Sequence, residues 1–274
     1  MTDIQRIIQR LLETNPLREP VLRSIIQTLN LPLAGLGLDV GSGIGLQALL
    51  LAEAAGAEGH IIGLDISPEL LTYAETLVAK AGLSDRISFR EGDMYGLPFA
   101  DNTFDWVWSA DCVGYPAGEL CPILAELARV VKPGGSITIL GWTSQQLLPG
   151  HPLLEAHLNS DCSSYTPFLR GKSPELHFLR GLHWFREAGL EQVRAQTFVG
   201  DVQGPLNNSQ RAALTSLFEM LWEQPQPQVL GEDWQAYQRL CHPQSADFVL
   251  NLPDYYAFFT YTVFSGKKPQ EQTR

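Results

Sequence analysis

Three carboxylates and three glycines are the residues of this chain best suited to chemistry. Asp39 stands two residues before Gly41 in the run Leu38-Asp39-Val40-Gly41-Ser42-Gly43-Ile44-Gly45. Glycines at alternate positions let a backbone turn sharply and let a ligand approach main-chain N–H groups with no Cβ in the way. The helix expected over residues 46–52 adds unpaired donors and a positive dipole end. Such a loop suits a ligand with a polar or negatively charged tail. In a dinucleotide fingerprint the glycines fall as G-x-G-x-x-G; here Leu46 takes the last position and Gly45 comes one residue early. A P-loop needs a Lys and a Ser or Thr after its glycines, and none follows. Asp39 suggests a third ligand, since a carboxylate at a strand end suits a cationic ammonium and not a pyrophosphate.

Two more acids fit that picture. Asp65 closes the apolar run Gly59-His60-Ile61-Ile62-Gly63-Leu64-Asp65, 24 residues after Gly41. That is about the distance at which an acid meets ribose hydroxyls in nucleotide-binding βαβ units. Asp93 follows a third strand in Gly92-Asp93-Met94.

Residues 36–40 form an apolar strand, and 59–65 show the near-continuous apolar run of a buried parallel strand. Ser67-Pro68-Glu69 opens a helix with a cap, a proline in its first turn and an acid. Strands follow at 86–91, 104–109 and 136–142. A helix over 120–131 precedes the last of these, and Lys132-Pro133-Gly134-Gly135 ends it. Five strands alternating with helices predict a parallel, doubly wound α/β sheet. Asp39, Asp65 and Asp93 then all fall at strand C-termini, the edge along which open α/β sheets bind ligands. Before the first strand, the spacing of Ile4, Ile7, Ile8, Leu11 and Leu12 and of Val21, Leu22, Ile25, Ile26 and Leu29 predicts two helices. Pro16 and Pro20 separate them. The pair would cover the sheet edge or close over a ligand.

Composition narrows the function classes. The 274 residues carry a net charge of −11, which disfavours nucleic acid and anionic membrane surfaces as partners. No apolar run reaches the length of a membrane span. Cys112, Cys121, Cys162 and Cys241 lie far apart with no C-x-x-C spacing, so neither a disulfide nor a metal site is expected. A cytoplasmic setting is the expectation.

The chain resembles the class I S-adenosylmethionine (SAM)-dependent methyltransferases, in their small-molecule branch of quinone, sterol and glycine-type enzymes. Four stretches carry the resemblance: residues 38–45; Gly63-Leu64-Asp65-Ile66-Ser67; Gly92-Asp93-Met94 with Leu97-Pro98-Phe99-Ala100-Asp101-Asn102-Thr103-Phe104-Asp105; and Arg129-Val130-Val131-Lys132-Pro133-Gly134-Gly135. The resemblance implies SAM as cofactor. It also implies a Rossmann-like, doubly wound, seven-stranded sheet, mostly parallel, whose antiparallel last strand lies between the fifth and sixth. By the same resemblance, Asp39 with the backbone of Gly41, Ser42, Gly43 and Gly45 would hold the methionine end of SAM. Asp65 would take the ribose hydroxyls, with Ile66 against an adenine face. Asp93 and the main-chain N–H of Met94 would read the adenine edge, and Ser109 would lie near the sulfonium. Cys112-Val113-Gly114-Tyr115 would line the route to the acceptor.

The tail supplies the remaining strands, at 190–198 and 256–265, and a helix over 173–189. The expected plan is one methyltransferase domain with a helical cap over 1–35 and a SAM-binding core over 36–142. Inserts at 143–176 and 200–254 would form a lid over the acceptor pocket; extra packing or a homodimer interface is the other reading of them. The second insert shows a helix bearing Leu214, Leu217, Phe218 and Leu221. A break follows at Gln224-Pro225-Gln226-Pro227-Gln228, and a second helix runs around 234–240. SAM brings an activated methyl, so a general base is needed only where the acceptor loses a proton. Asp111, Tyr115, His151 and His157 are the candidates, with Tyr165 also in the insert and His183 reading as a structural histidine. Two other functions remain at this point: an inactive SAM-binding relative or regulator, and an NAD-dependent oxidoreductase using Asp65.

Overall fold

The structure, a computed structural model, describes residues 2–118, 120–160, 166–222 and 231–270. Its strands are β1 (Leu36–Val40), β2 (His60–Asp65), β3 (Ile87–Glu91), β4 (Phe104–Ala110), β5 (Val131–Gln146), β6 (Glu191–Gln203) and β7 (Tyr256–Lys267). They form one seven-stranded sheet in the order β3-β2-β1-β4-β5-β7-β6. The ladders from β3 through to β5 are parallel. The last strands run antiparallel, with β7 inserted between β5 and β6. The expected fold is therefore the observed one. Among the described residues no helix is long and apolar enough to cross a membrane.

The chain divides into two compact units. One comprises Leu22–Gly141, Pro174–Thr197 and Thr262–Arg274. In it β1 and β4 are neighbours, while the chain runs outward from β1 to β2 and β3, and from β4 to β5. That reversal marks the topological switch point, where loops diverge and leave room beyond the strand C-termini. Leu38, Val40, Leu64, Val107, Ile137 and Ile139 form the buried centre of this sheet. Helix α2 (Leu46–Ala54) starts directly at Gly45, which is left-handed at φ +79°. Helix α3 (Pro68–Lys80) is capped as expected, the Ser67 hydroxyl accepting from the Leu70 N–H at 3.3 Å. Helix α4 (Leu120–Val130) holds the loop before β4 through Arg129. The guanidinium of Arg129 donates to the carbonyls of Leu97 and Phe99 and to Asp101 and Glu126. The motif over 97–105 is thus tied to the end of α4.

The second unit comprises Met1–Val21, Trp142–Ser173 and Phe198–Tyr261. It contains α5 (Pro152–Ser160), α6 (Thr166–Leu169), α8 (Asn208–Trp222) and α9 (Gly231–Cys241); α7 (Gly181–Glu187) belongs to the first unit. Leu214, Leu217 and Phe218 are buried on α8, and α9 is the second helix expected around 234–240. The break at 224–228 and Tyr165 lie outside the described residues. A side-chain chain links three elements here. The Trp142 indole N–H donates to Gln145 Oε1 at 2.7 Å. Gln145 Nε2 donates to Asn159 Oδ1 at 2.8 Å, and the Trp222 indole N–H reaches the same oxygen at 3.0 Å.

Three expectations are corrected. The two N-terminal helices are one, α1 (Asp3–Thr28), with Pro16 and Pro20 inside it. Each internal proline opposes a helix by about 3 kcal/mol, but Leu17, Val21, Leu22, Ile25 and Ile26 are all buried along its length, and that packing outweighs the cost. The helix expected over 173–189 is broken into two 3₁₀ turns, Pro174–Leu176 and Phe178–Arg180, followed by α7. Extended His177 (φ −68°, ψ 133°) interrupts it and forms an antiparallel bridge with Ala117. Finally, β5 extends to Gln146. Residues 143–146, read as insert, are strand, and the Thr143 hydroxyl meets that of Thr260 on β7 at 3.1 Å.

Candidate functional site

Backbone hydrogen bonds lace together the loops at the C-terminal edge of the first unit's sheet. The N–H groups of Gly41 and Ser42 both donate to the Leu64 carbonyl, at 2.8 and 3.0 Å. The Gly43 N–H donates to Asp65 Oδ2 at 2.8 Å, and the Ser67 N–H to Asp65 Oδ1 at 3.0 Å. The Gly92 N–H donates to the Asp65 carbonyl at 3.0 Å. The turns after β1, β2 and β3 are thereby held to one another, and Asp39, Asp65 and Asp93 share one rim. Gly41, Gly43 and Gly45 all adopt positive φ, at +76°, +53° and +79°, a region that L side chains enter only with strain.

The three acids differ in environment. Asp39, paired in register with Gly63 on one side and Trp108 on the other, is 2% exposed. Its Oδ2 is buried with no hydrogen-bond partner. Burial, reinforced by the negative charge of Asp65, pushes its pKa up to about 7. Asp65 is half-buried with both oxygens engaged. Asp93 is exposed, and its Oδ1 accepts from the Tyr95 N–H at 3.0 Å. Ile66 is 69% exposed, while Met94 packs partly against the core.

The turn after β4 completes the rim. The Ser109 hydroxyl, buried, donates to the Val40 carbonyl at 2.7 Å and accepts from the Val113 N–H at 3.2 Å. One side chain therefore joins the end of β1 to the turn after β4. Asp111 sits at left-handed φ +52°. Cys112 is packed so closely on the glycine loop that a Cβ on Gly41 would lie 2.3 Å from its sulfur. Burial and the carboxylates of Asp65, Asp39 and Asp111 push its thiol up to about 12. Cys112 is a wall of the glycine loop. Tyr115 stacks edge-on against Phe178, with ring centroids 5.6 Å apart. Sequence reasoning missed Gln47, whose Oε1 accepts from the buried Trp108 indole at 2.7 Å; a glutamine in the first turn of a helix carries no signal of that partner.

His151 and His157 belong to the other unit. The His157 Nδ1 lies 3.0 Å from Asp233 Oδ2, joining α5 to α9. His183, in the first unit, is half-exposed and faces Glu187 one turn on, at 3.3 Å.

A family described as "Methyltransferase domain" matches residues 38–135, the span from β1 to the start of β5. The demethylmenaquinone methyltransferase of Bacillus licheniformis is 33% identical over 193 residues, which are 65% of this chain and 79% of that protein. The chain belongs to the class I SAM-dependent methyltransferases. Its cofactor is SAM. A further member, the probable chloroplastic tocopherol O-methyltransferase of Oryza sativa subsp. japonica, is 38% identical over 122 residues, 43% of this chain. The chain spans only 32% of that longer protein. In fold, this methyltransferase matches a SAM-dependent methyltransferase from Aquifex aeolicus with a TM-score of 0.54 at 17% identity, over 97% of this chain and all of the other.

Proposed function

We propose that this methyltransferase moves the SAM methyl to an apolar small molecule and binds SAM along the rim of Asp39, Asp65 and Asp93. One observation carries the reading. Asp39 buries a carboxylate oxygen without a partner, beside a glycine loop that admits close backbone approach. Burying such a group unsatisfied costs on the order of 1–3 kcal/mol, a cost relieved by a ligand that brings a cation. The Ser42 hydroxyl is likewise buried without a partner. The amino-acid end of SAM fits these residues.

In this reading Asp39 and the backbone of Gly41, Ser42, Gly43 and Gly45 hold the methionine portion. Asp65 accepts from the ribose hydroxyls, and exposed Ile66 covers an adenine face. Asp93 and the Met94 N–H take the adenine edge. Ser109 acts by fixing the turn after β4 against β1, its hydroxyl being committed to Val40 and Val113. SAM, once bound, supplies a methyl already activated on a sulfonium. The chain's work is then to orient the acceptor, and orientation supplies roughly 7–11 kcal/mol in well-aligned reactions. The stretches outside the matched span, 143–176 and 200–254, carry the acceptor specificity. An apolar acceptor is supported by the relatives named for demethylmenaquinone and tocopherol methylation. A cytoplasmic setting belongs to the same proposal, supported by the free thiols of Cys112 and Cys241.

Calorimetry tests the site. The protein is expected to bind SAM and its demethylated product. Asp65→Ala and Gly43→Val are expected to abolish binding while circular dichroism stays unchanged. Unaltered affinity in both variants would refute the assignment. Transfer of labelled methyl from SAM to a panel of demethylated quinones and phenols tests the acceptor class.

A further inference from the structure

Asp39 is buried beside one like charge, that of Asp65, and near the thiol of Cys112. Asp65, at the end of β2, keeps its carboxylate in place through the N–H groups of Gly43 and Ser67. From the turn after β4, Cys112 packs on Gly41, and Asp111 acts on the same thiol. Among the described residues, the charge acting on Asp39 is the like charge of Asp65. Asp39 Oδ2 is buried and unpartnered.

We propose that Asp39 carries a proton in the ligand-free protein and releases it to solvent when the ammonium of the cofactor's amino-acid end binds beside it. The inference rests on the assignment of Asp39 to that end of SAM. The balance is simple: a neutral carboxyl and a ligand ammonium become a carboxylate–ammonium pair plus one free proton. Burial and Asp65, which hold the carboxyl near pH 7 without ligand, both oppose ionisation until a cation arrives. Binding is therefore coupled to pH by linkage.

SAM titrations of the intact protein, run calorimetrically in pairs of buffers with different ionisation enthalpies, count the protons. Relative to Asp39→Asn, which reports the contribution of the ligand's own amine, the wild type is expected to release an additional proton, more fully at pH 6.0 than at pH 7.5. Its affinity is expected to be several-fold weaker at pH 6.0 than at pH 7.5 by the same linkage. Infrared difference spectra give a second readout that needs no functional variant. The carbonyl stretch of a protonated carboxyl is expected to vanish when SAM is added, and to be missing from Asp39→Asn throughout. Saturable SAM binding with the same proton count in both proteins, or with no loss of that band, overturns the proposal while leaving the site assignment standing. Absence of any saturable SAM binding overturns the assignment, and the proposal with it.

Discussion

Two buried carboxylates, one in each unit, have opposite surroundings. Glu155 on α5 is 1% exposed, and its two oxygens accept from the N–H groups of Leu147 and Leu148 at 2.6 and 2.9 Å. The Leu147 carbonyl is in turn taken by the hydroxyl of fully buried Tyr255 at 2.9 Å. Both oxygens of Glu155 and the hydroxyl of Tyr255 thus have protein partners. Asp39 is as deeply buried, yet one of its oxygens has none. Burial raises both pKa values, so burial alone does not separate them; hydrogen-bond satisfaction does. A satisfied buried carboxylate holds backbone in place, as Glu155 holds the stretch between β5 and α5. Asp39 keeps one oxygen outside the hydrogen bonds of the fold.

The comparison breaks most visibly at Glu155. Glu155→Ala strands two buried N–H groups, each worth about 1–3 kcal/mol, and is expected to lower stability by about 3–5 kcal/mol in thermal or urea unfolding. Glu155→Gln, which keeps one acceptor oxygen, is expected to lose about half of that. SAM affinity of the folded fraction is expected to be unchanged in both. A larger affinity loss here than at Asp39 would erase the distinction between the two sites.

Asp39→Asn is expected to do the reverse: SAM binding weaker by about 100-fold, the scale of a lost buried charge pair, with no loss of stability in the ligand-free protein. The pH dependence of that stability sharpens the point. Burial and the charge of Asp65 push the pKa of folded Asp39 up to about 7, above the ordinary carboxylate value of about 3.9. The folded state thus binds the extra proton between those values. Stability from this group is fully present below about pH 4 and lost as pH rises through 7. Between pH 5 and pH 7 the ligand-free wild type is expected to lose about 2 kcal/mol that Asp39→Asn does not lose, read from urea midpoints at each pH.

The same contrast explains what could be seen in the sequence. The rim was legible because its residues sit at fixed offsets from short-range signals: Asp39 two places before Gly41, Asp65 at the end of an apolar run, Ser67 as a cap. What could not be seen depends on partners distant in the chain. Nothing near Ser109 announces that its hydroxyl ties the turn after β4 to Val40. Pro16 and Pro20 signal a helix break because local geometry opposes them; buried Leu22 and Ile25 are what keep α1 whole. His177 broke an otherwise plausible helix through its bridge to Ala117, sixty residues earlier. The role of Glu155 was invisible for the same reason, since a glutamate on a short helix reads as a solvated one.

The smallest expected effect separates pairing at the surface from pairing in the interior. His157 and Asp233 lie 3.0 Å apart, but the histidine is half-exposed. An exposed ion pair of this kind contributes about 0–1 kcal/mol. His157→Gln is therefore expected to shift stability by less than about 0.5 kcal/mol, and to leave SAM affinity unchanged. Its effect on turnover decides whether the histidine serves the acceptor. A drop in kcat, with KM for SAM constant, would make it a base for an acceptor that loses a proton. Unchanged turnover would leave His157 as a strut between α5 and α9, and the transfer as one driven by orientation alone.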